Sequence, residues 1–145
     1  VLLTTDHGMS PTDPKNTTYL NLEFPELIPM LDSSQKGHPL VPAGGCRDFF
    51  LHLKEDKLQD AISLLQEPLA EKAEVHKVND LLKAGFFGHS VSENLRSRVG
   101  NLVILPYYGE SVWWYEKNRF EQNMLGHHGG LTREEMEIPL LALCL

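Results

Sequence analysis

A short apolar run, Val1-Leu2-Leu3-Thr4-Thr5, ends in Asp6-His7-Gly8-Met9. Such a run, rich in β-formers and closed by turn residues, reads as a buried strand of the kind found in parallel sheets. Asp6 and His7 then stand at the carboxyl end of the strand, where open α/β sheets place their ligands, and Gly8 lets the chain turn. Near the other end comes Gly126-His127-His128-Gly129-Gly130. Its glycines allow the backbone to approach a ligand closely, and imidazole with carboxylate is a donor set for a divalent transition metal. Singly, Asp6 also reads as a turn cap and the histidine pair as a solvated loop. Together the two motifs point to metal-assisted phosphoryl chemistry.

The remaining composition narrows the class. A chain of 145 residues predicts one domain with a core that needs no staples. Its net charge of −7 argues against a nucleic-acid binder, which would carry a clustered basic face. Acidity does not exclude a phosphorylated substrate, because a bound metal reverses the local field. Cys46 and Cys144 read as thiols in a reducing compartment, and no signal peptide or membrane-length apolar stretch is visible, so the expected location is cytoplasmic with no membrane partner. There is no phosphate-binding glycine loop of the Walker type and no nucleophile elbow. Val1 lies inside an apolar run rather than before one, which suggests a fragment of something longer.

Along the chain, residues 10–18 read as loop, and residues 19–30 as a short extended piece or one helical turn. Residues 31–45 form a connector rich in proline and glycine. Beyond it Phe49, Leu51 and Leu53 alternate with Phe50 and His52, a strand pattern. Leu58, Ala61, Ile62 and Leu65 have helical spacing up to Pro68. Residues 73–78 read as a strand, and residues 81–84 as a short helix capped by Asn79 or Asp80 and ended by Gly85. This succession predicts a small α/β subdomain over residues 45–98, inserted between core segments 1–44 and 99–145. Leu102-Val103-Ile104-Leu105 reads as a strand returning to the main sheet. The aromatic segment from Tyr107 to Phe120 reads chiefly as packing. Thr132 and Glu135 have capping-box form, and residues 138–145 read as a last buried strand. Arg47, Arg96 and Arg98 are capable of meeting phosphate, but surface ion pairs are the expectation. His38, His52, His76 and His89 have no partner at ligand spacing.

Taken jointly, Thr5-Asp6-His7-Gly8-Met9, Gly126-His127-His128-Gly129-Gly130-Leu131-Thr132 and Glu134-Glu135-Met136-Glu137-Ile138-Pro139-Leu140 resemble the alkaline phosphatase superfamily. The likeness is to its type I phosphodiesterase/nucleotide pyrophosphatase branch, in the C-terminal half of the catalytic domain. Arg47-Asp48-Phe49-Phe50-Leu51 and Gly85-Phe86-Phe87-Gly88 are similar to the cap-like subdomain of bacterial and archaeal members. The resemblance implies the C-terminal part of an alkaline-phosphatase-like α/β sheet with that subdomain inserted. It implies two divalent metal ions, zinc in the usual case, with Asp6 and His7 ligating one and His128 the other. His127 would be a neighbour rather than a ligand. The substrate would be a phosphorylated small molecule, nucleotide-like in this branch.

The superfamily's hydroxyl nucleophile and its further metal ligands lie upstream of the Asp-His pair, and nothing in this sequence fills those roles. Catalytic zinc normally has about three protein ligands, so this chain alone is expected to hold metal partially or not at all and to be inactive. An uncovered sheet edge would favour self-association. The alternatives are a phosphomonoesterase, phosphonate hydrolase or mutase of the same superfamily, and a non-catalytic α/β interaction module.

Overall fold

The computed structural model describes residues 1–144. Along them run the strands β1 (Leu2–Thr4), β2 (Ser10–Pro11), β3 (Thr18–Tyr19), β4 (Ala43–Gly44), β5 (Phe49–Leu51), β6 (Ala73–Lys77), β7 (Leu102–Pro106), β8 (Val112–Trp113), β9 (Gly126–His127) and β10 (Leu140–Ala142). The helices are α1 (Leu20–Glu23), α2 (Leu58–Gln66), α3 (Val78–Lys83), α4 (Glu93–Arg98) and α5 (Arg133–Met136). The chain is of mixed α/β architecture, as the sequence predicts.

One antiparallel sheet, in the order β4-β5-β7-β6, organises the core. Its register pairs Phe49 with Ile104, Phe50 with Val103 and Leu51 with Leu102. Successive strand residues face opposite ways. Phe49, Leu51, Leu102 and Ile104 accordingly join one cluster with Ala61, Ile62 and Leu65 of α2, and Phe50 and Val103 join a second with Val78 and Leu81 of α3. The uninterrupted apolar runs of β5 and β7 follow from this, because both faces of the sheet are covered.

That arrangement corrects the expected place of β7. Leu102–Pro106 does not return to a separate main sheet; it is an interior strand between β5 and β6. An apolar run buried on both faces needs neighbours on both edges, and the alternating residues of β5 and β6 supply them. Residues 19–30 hold both α1 and a 3-10 helix, Pro25–Met30. Helix α3 starts earlier than its expected caps: Lys77 precedes it, with no side-chain cap. The Val78 N–H is taken by the Asn101 carbonyl at 3.0 Å, so the first donor is satisfied by the entry to β7.

The ends of the chain depart further from expectation. Strand β1 pairs with β10 and is antiparallel, not parallel, matching Leu2 with Ala142 and Thr4 with Leu140. Neither strand is buried: Leu2 is 72% and Leu140 68% exposed. The ribbon has two strands, and among the described residues no third element covers its faces. Among the described residues no further strand pairs with its outer edges. Of the strand expected over residues 138–145, Leu145 lies outside the described residues. Leu102→Ala, which empties a fully buried position, should cost about 2–5 kcal/mol in urea unfolding. Leu141→Ala on the open ribbon should stay within about 0.5 kcal/mol.

Candidate metal centre

The two sequence motifs meet because the ends of the chain are laced together. Strand β2 pairs with β9, opposing Ser10 to His127, while β1 pairs with β10. Between these pairings the Asp6-His7 turn lies against α5. The Gly8 N–H donates to the Glu135 carbonyl at 2.9 Å and the Met9 N–H to the Glu134 carbonyl at 3.0 Å. Glycine is required at position 8, since a Cβ there would collide with the Glu134 carbonyl oxygen.

The result is a direct contact between the two motifs. The His7 and His128 rings stack with centroids 3.8 Å apart and planes 16° from parallel. His7 Nδ1 lies 2.7 Å from the Gly8 carbonyl oxygen. A carbonyl only accepts, so Nδ1 carries the proton and the neutral ring keeps its lone pair on Nε2. That nitrogen is 3.8 Å from Asp6 Oδ2. The Asp6 carboxyl sits below its ordinary range, chiefly through its own backbone N–H and then through His7, and is ionised at neutral pH as a ligand must be.

His127 goes elsewhere. It borders a cavity of about 320 Å³ shared with Cys46, Trp113 and Phe120. Its Nε2 is enclosed and has no hydrogen-bond partner. Burial first, then His128 and Arg47, lowers its pKa. His76 pairs with Glu74 at 2.7 Å, away from the candidate centre. The aromatic segment packs as expected, with Trp113 edge-on to Phe49 and Tyr115 edge-on to Tyr19.

Two residues that the sequence reading placed differently support this arrangement. Arg47 is not a surface ion pair: it is fully buried and clasps Glu135, Nε to Oε1 at 3.0 Å and Nη2 to Oε2 at 2.8 Å. Its Nη1 donates to the carbonyls of Tyr107 and Glu110. Glu135 does not close the expected capping box. Instead of reaching back to the Thr132 N–H, it accepts from the Thr132 hydroxyl at 2.7 Å and the Gly130 N–H at 3.0 Å, because Arg47 draws its carboxylate inward. Asp48, next to Arg47, accepts from the Gly45 N–H at 2.7 Å. Its carboxylate packs so closely on Gly129 (φ +115°) that a Cβ there would touch it. Burial is the main cause that raises the Asp48 pKa.

The fit to a metal is partial. Two donors on one zinc ion, each about 2.0–2.2 Å from it at a tetrahedral angle, stand roughly 3.4 Å apart. Asp6 Oδ2 and His7 Nε2 need little adjustment to do so, and the Nδ1 bond to a backbone carbonyl is the support that metal-binding histidines use. Among the described residues no group of three or more His, Cys, Asp or Glu side chains is gathered to hold an ion. The donor geometry of Asp6 and His7 fits two positions of one ion.

With that geometry in hand, the class of fold is defined: the chain has an alkaline-phosphatase-like α/β fold. Among solved structures it is similar to murine ectonucleotide pyrophosphatase/phosphodiesterase 5, at 19% identity and a TM-score of 0.61 over 96% of this chain. The human counterpart matches at 18% identity and 0.61 over 97%. Phosphonoacetate hydrolase from Sinorhizobium meliloti matches at 16% identity and 0.61, also over 97%. A further murine structure, of an inactive variant, is in complex with AMP. The chain spans about a third of these proteins' length, 32% of the murine and human chains and 35% of the bacterial one. No family model and no curated protein sequence matches it.

The buried pair makes stability depend on pH. Burial alone would lift the Glu135 carboxyl above the ordinary 4.5, but Arg47, Thr132 and the Gly130 N–H outweigh it and the net shift is downward. A carboxylate depressed by folding contributes stability that is fully present above its unfolded pKa and lost as pH falls through its folded pKa. Urea unfolding of the wild type, relative to a doubly substituted Arg47→Met/Glu135→Leu protein, should therefore give a constant difference above about pH 5 and a declining one below about 4.5. A difference independent of pH would contradict this.

Proposed function

We propose that this chain is part of a metal-dependent phosphodiesterase or nucleotide pyrophosphatase-like hydrolase, with Asp6 and His7 ligating one divalent ion and His128 a second. The observation that carries the reading is the stacking of His7 on His128, which joins two distant motifs at one point. The likeness to an ectonucleotide pyrophosphatase/phosphodiesterase supports the reaction class, and the AMP complex of that protein supports a nucleotide-like phosphate as substrate. Imidazole and carboxylate donors suit zinc. The chemistry that such ions supply when bound is stabilisation of charge developing on the oxygens at phosphorus and activation of a hydroxyl or water.

The residues of this chain have defined parts in that reading. Asp6 offers an ionised carboxylate. His7 offers Nε2, its ring fixed by the Gly8 carbonyl. His128 is held among glycines, beside the carboxylate of Asp48 that packs on Gly129. The reaction class also requires a hydroxyl nucleophile and further ligands, which would come from the part of the whole protein that this chain, about a third of the length of its structural neighbours, does not span.

A second reading, a phosphonate or monoester hydrolase on the same fold, is favoured by the equal TM-score of phosphonoacetate hydrolase. Turnover of bis(4-nitrophenyl) phosphate, 4-nitrophenyl phosphate and phosphonoacetate by the complete protein with zinc separates the two. The diester should be preferred, and Asp6→Ala or His128→Ala should each lower kcat/KM by about 100-fold or more. Preference for phosphonoacetate selects the second reading. Purification without zinc, and indifference to both substitutions, would mark a non-catalytic module instead.

A further inference from the structure

Glu135 touches neither histidine, yet it is bonded to both loops that carry them. Its side chain accepts from Gly130, two residues beyond His128, and from Thr132. Its backbone carbonyl accepts from Gly8, one residue beyond His7. Arg47 fixes the carboxylate in turn, itself anchored on the Tyr107 and Glu110 carbonyls. We propose that Glu135, clamped by Arg47, is a positioning residue that holds the His7 and His128 loops in register for metal binding. This inference rests on the reading of Asp6, His7 and His128 as ligands.

The hydrogen-bond pattern shows why a carboxylate is needed. Each oxygen serves one arginine donor and one loop donor: Oε1 takes Arg47 Nε and Gly130 N–H, and Oε2 takes Arg47 Nη2 and the Thr132 hydroxyl. A glutamine, whichever way its amide is turned, sets an NH2 group against one of these donor pairs. The pair is buried, with 0% and 1% of the two side chains exposed, so water cannot replace a lost acceptor. Structural support alone would not need the loop bonds, since an apolar pair of similar volume can stand in for a buried ion pair without loss of stability. Positioning does need them.

The test compares wild type, Glu135→Gln and the double variant Arg47→Met/Glu135→Leu, each made in the complete protein, using zinc titration and NMR. The single variant leaves Arg47 buried without its partner and risks unfolding. The double variant removes both charges and keeps the volume. We expect it to stay folded, with an unfolding temperature lowered by the partners it leaves unpaired on Tyr107, Glu110 and Gly130, while zinc affinity falls about 10–100-fold, the usual effect of losing an outer support. In the metal-free protein, the upfield ring-current shifts of the His7 and His128 ring protons should shrink as the rings part. A folded double variant with unchanged ring-current shifts and unchanged zinc affinity overturns the inference. A complete wild-type protein that binds no zinc overturns the metal reading instead, and the ring-current comparison then decides whether Glu135 sets the loops.

Discussion

The buried Arg47–Glu135 ion pair is the interaction on which the rest of the arrangement depends. Removing two charges from water costs several kcal/mol per ion, and mutual attraction repays that only when the remaining donors and lone pairs are also satisfied. Here they are: the guanidinium reaches a carboxylate and two carbonyls, and the carboxylate reaches the guanidinium, a backbone N–H and a hydroxyl. The partners come from distant parts of the chain. Arg47 lies between β4 and β5, Tyr107 and Glu110 follow β7, and Glu135 belongs to α5. One ion pair thus fastens the core sheet to the segment that carries the histidines.

Stability and candidate chemistry are divided between two regions. The four-stranded sheet and α2 bury most of the apolar side chains, and their packing supplies the rigid frame. The Asp6-His7 turn and the His127-His128 loop lie outside that frame, on pairs two or three residues long. Such pairs are marginal by themselves. Their order comes from tethers to α5 and from Arg47 beneath it. An arrangement built in this way keeps Asp6, His7 and His128 accessible while its geometry is set from the core.

Much of the fold was legible in the sequence, and the misses share a cause. The apolar runs of β5 and β7, the spacing of α2 and its stop before Pro68 carry their structure in local pattern, and the structure follows them. The meeting of Asp6-His7 with the His127-His128 loop was also readable, because glycines and paired donors leave a local trace. Burial was not. Leu2 and Leu140 have the composition of core strands and lie open, since what covers a strand is set by elements elsewhere. Arg47 and Glu135 were misread for the converse reason. A lone arginine and a glutamate at a helix start look like surface residues until folding places them face to face. Asp48 beside Gly129 left no trace beyond its place next to Arg47.

The proposed function requires that His7 and His128, held together by the fold, both ligate metal. X-ray absorption at the zinc edge of the complete protein loaded with zinc reads this out. The spectrum should carry the multiple-scattering signature of imidazole, weakened in His7→Ala and again when His128→Ala is added. A spectrum fitted by oxygen and sulfur neighbours alone, or one unchanged by both substitutions, would contradict it.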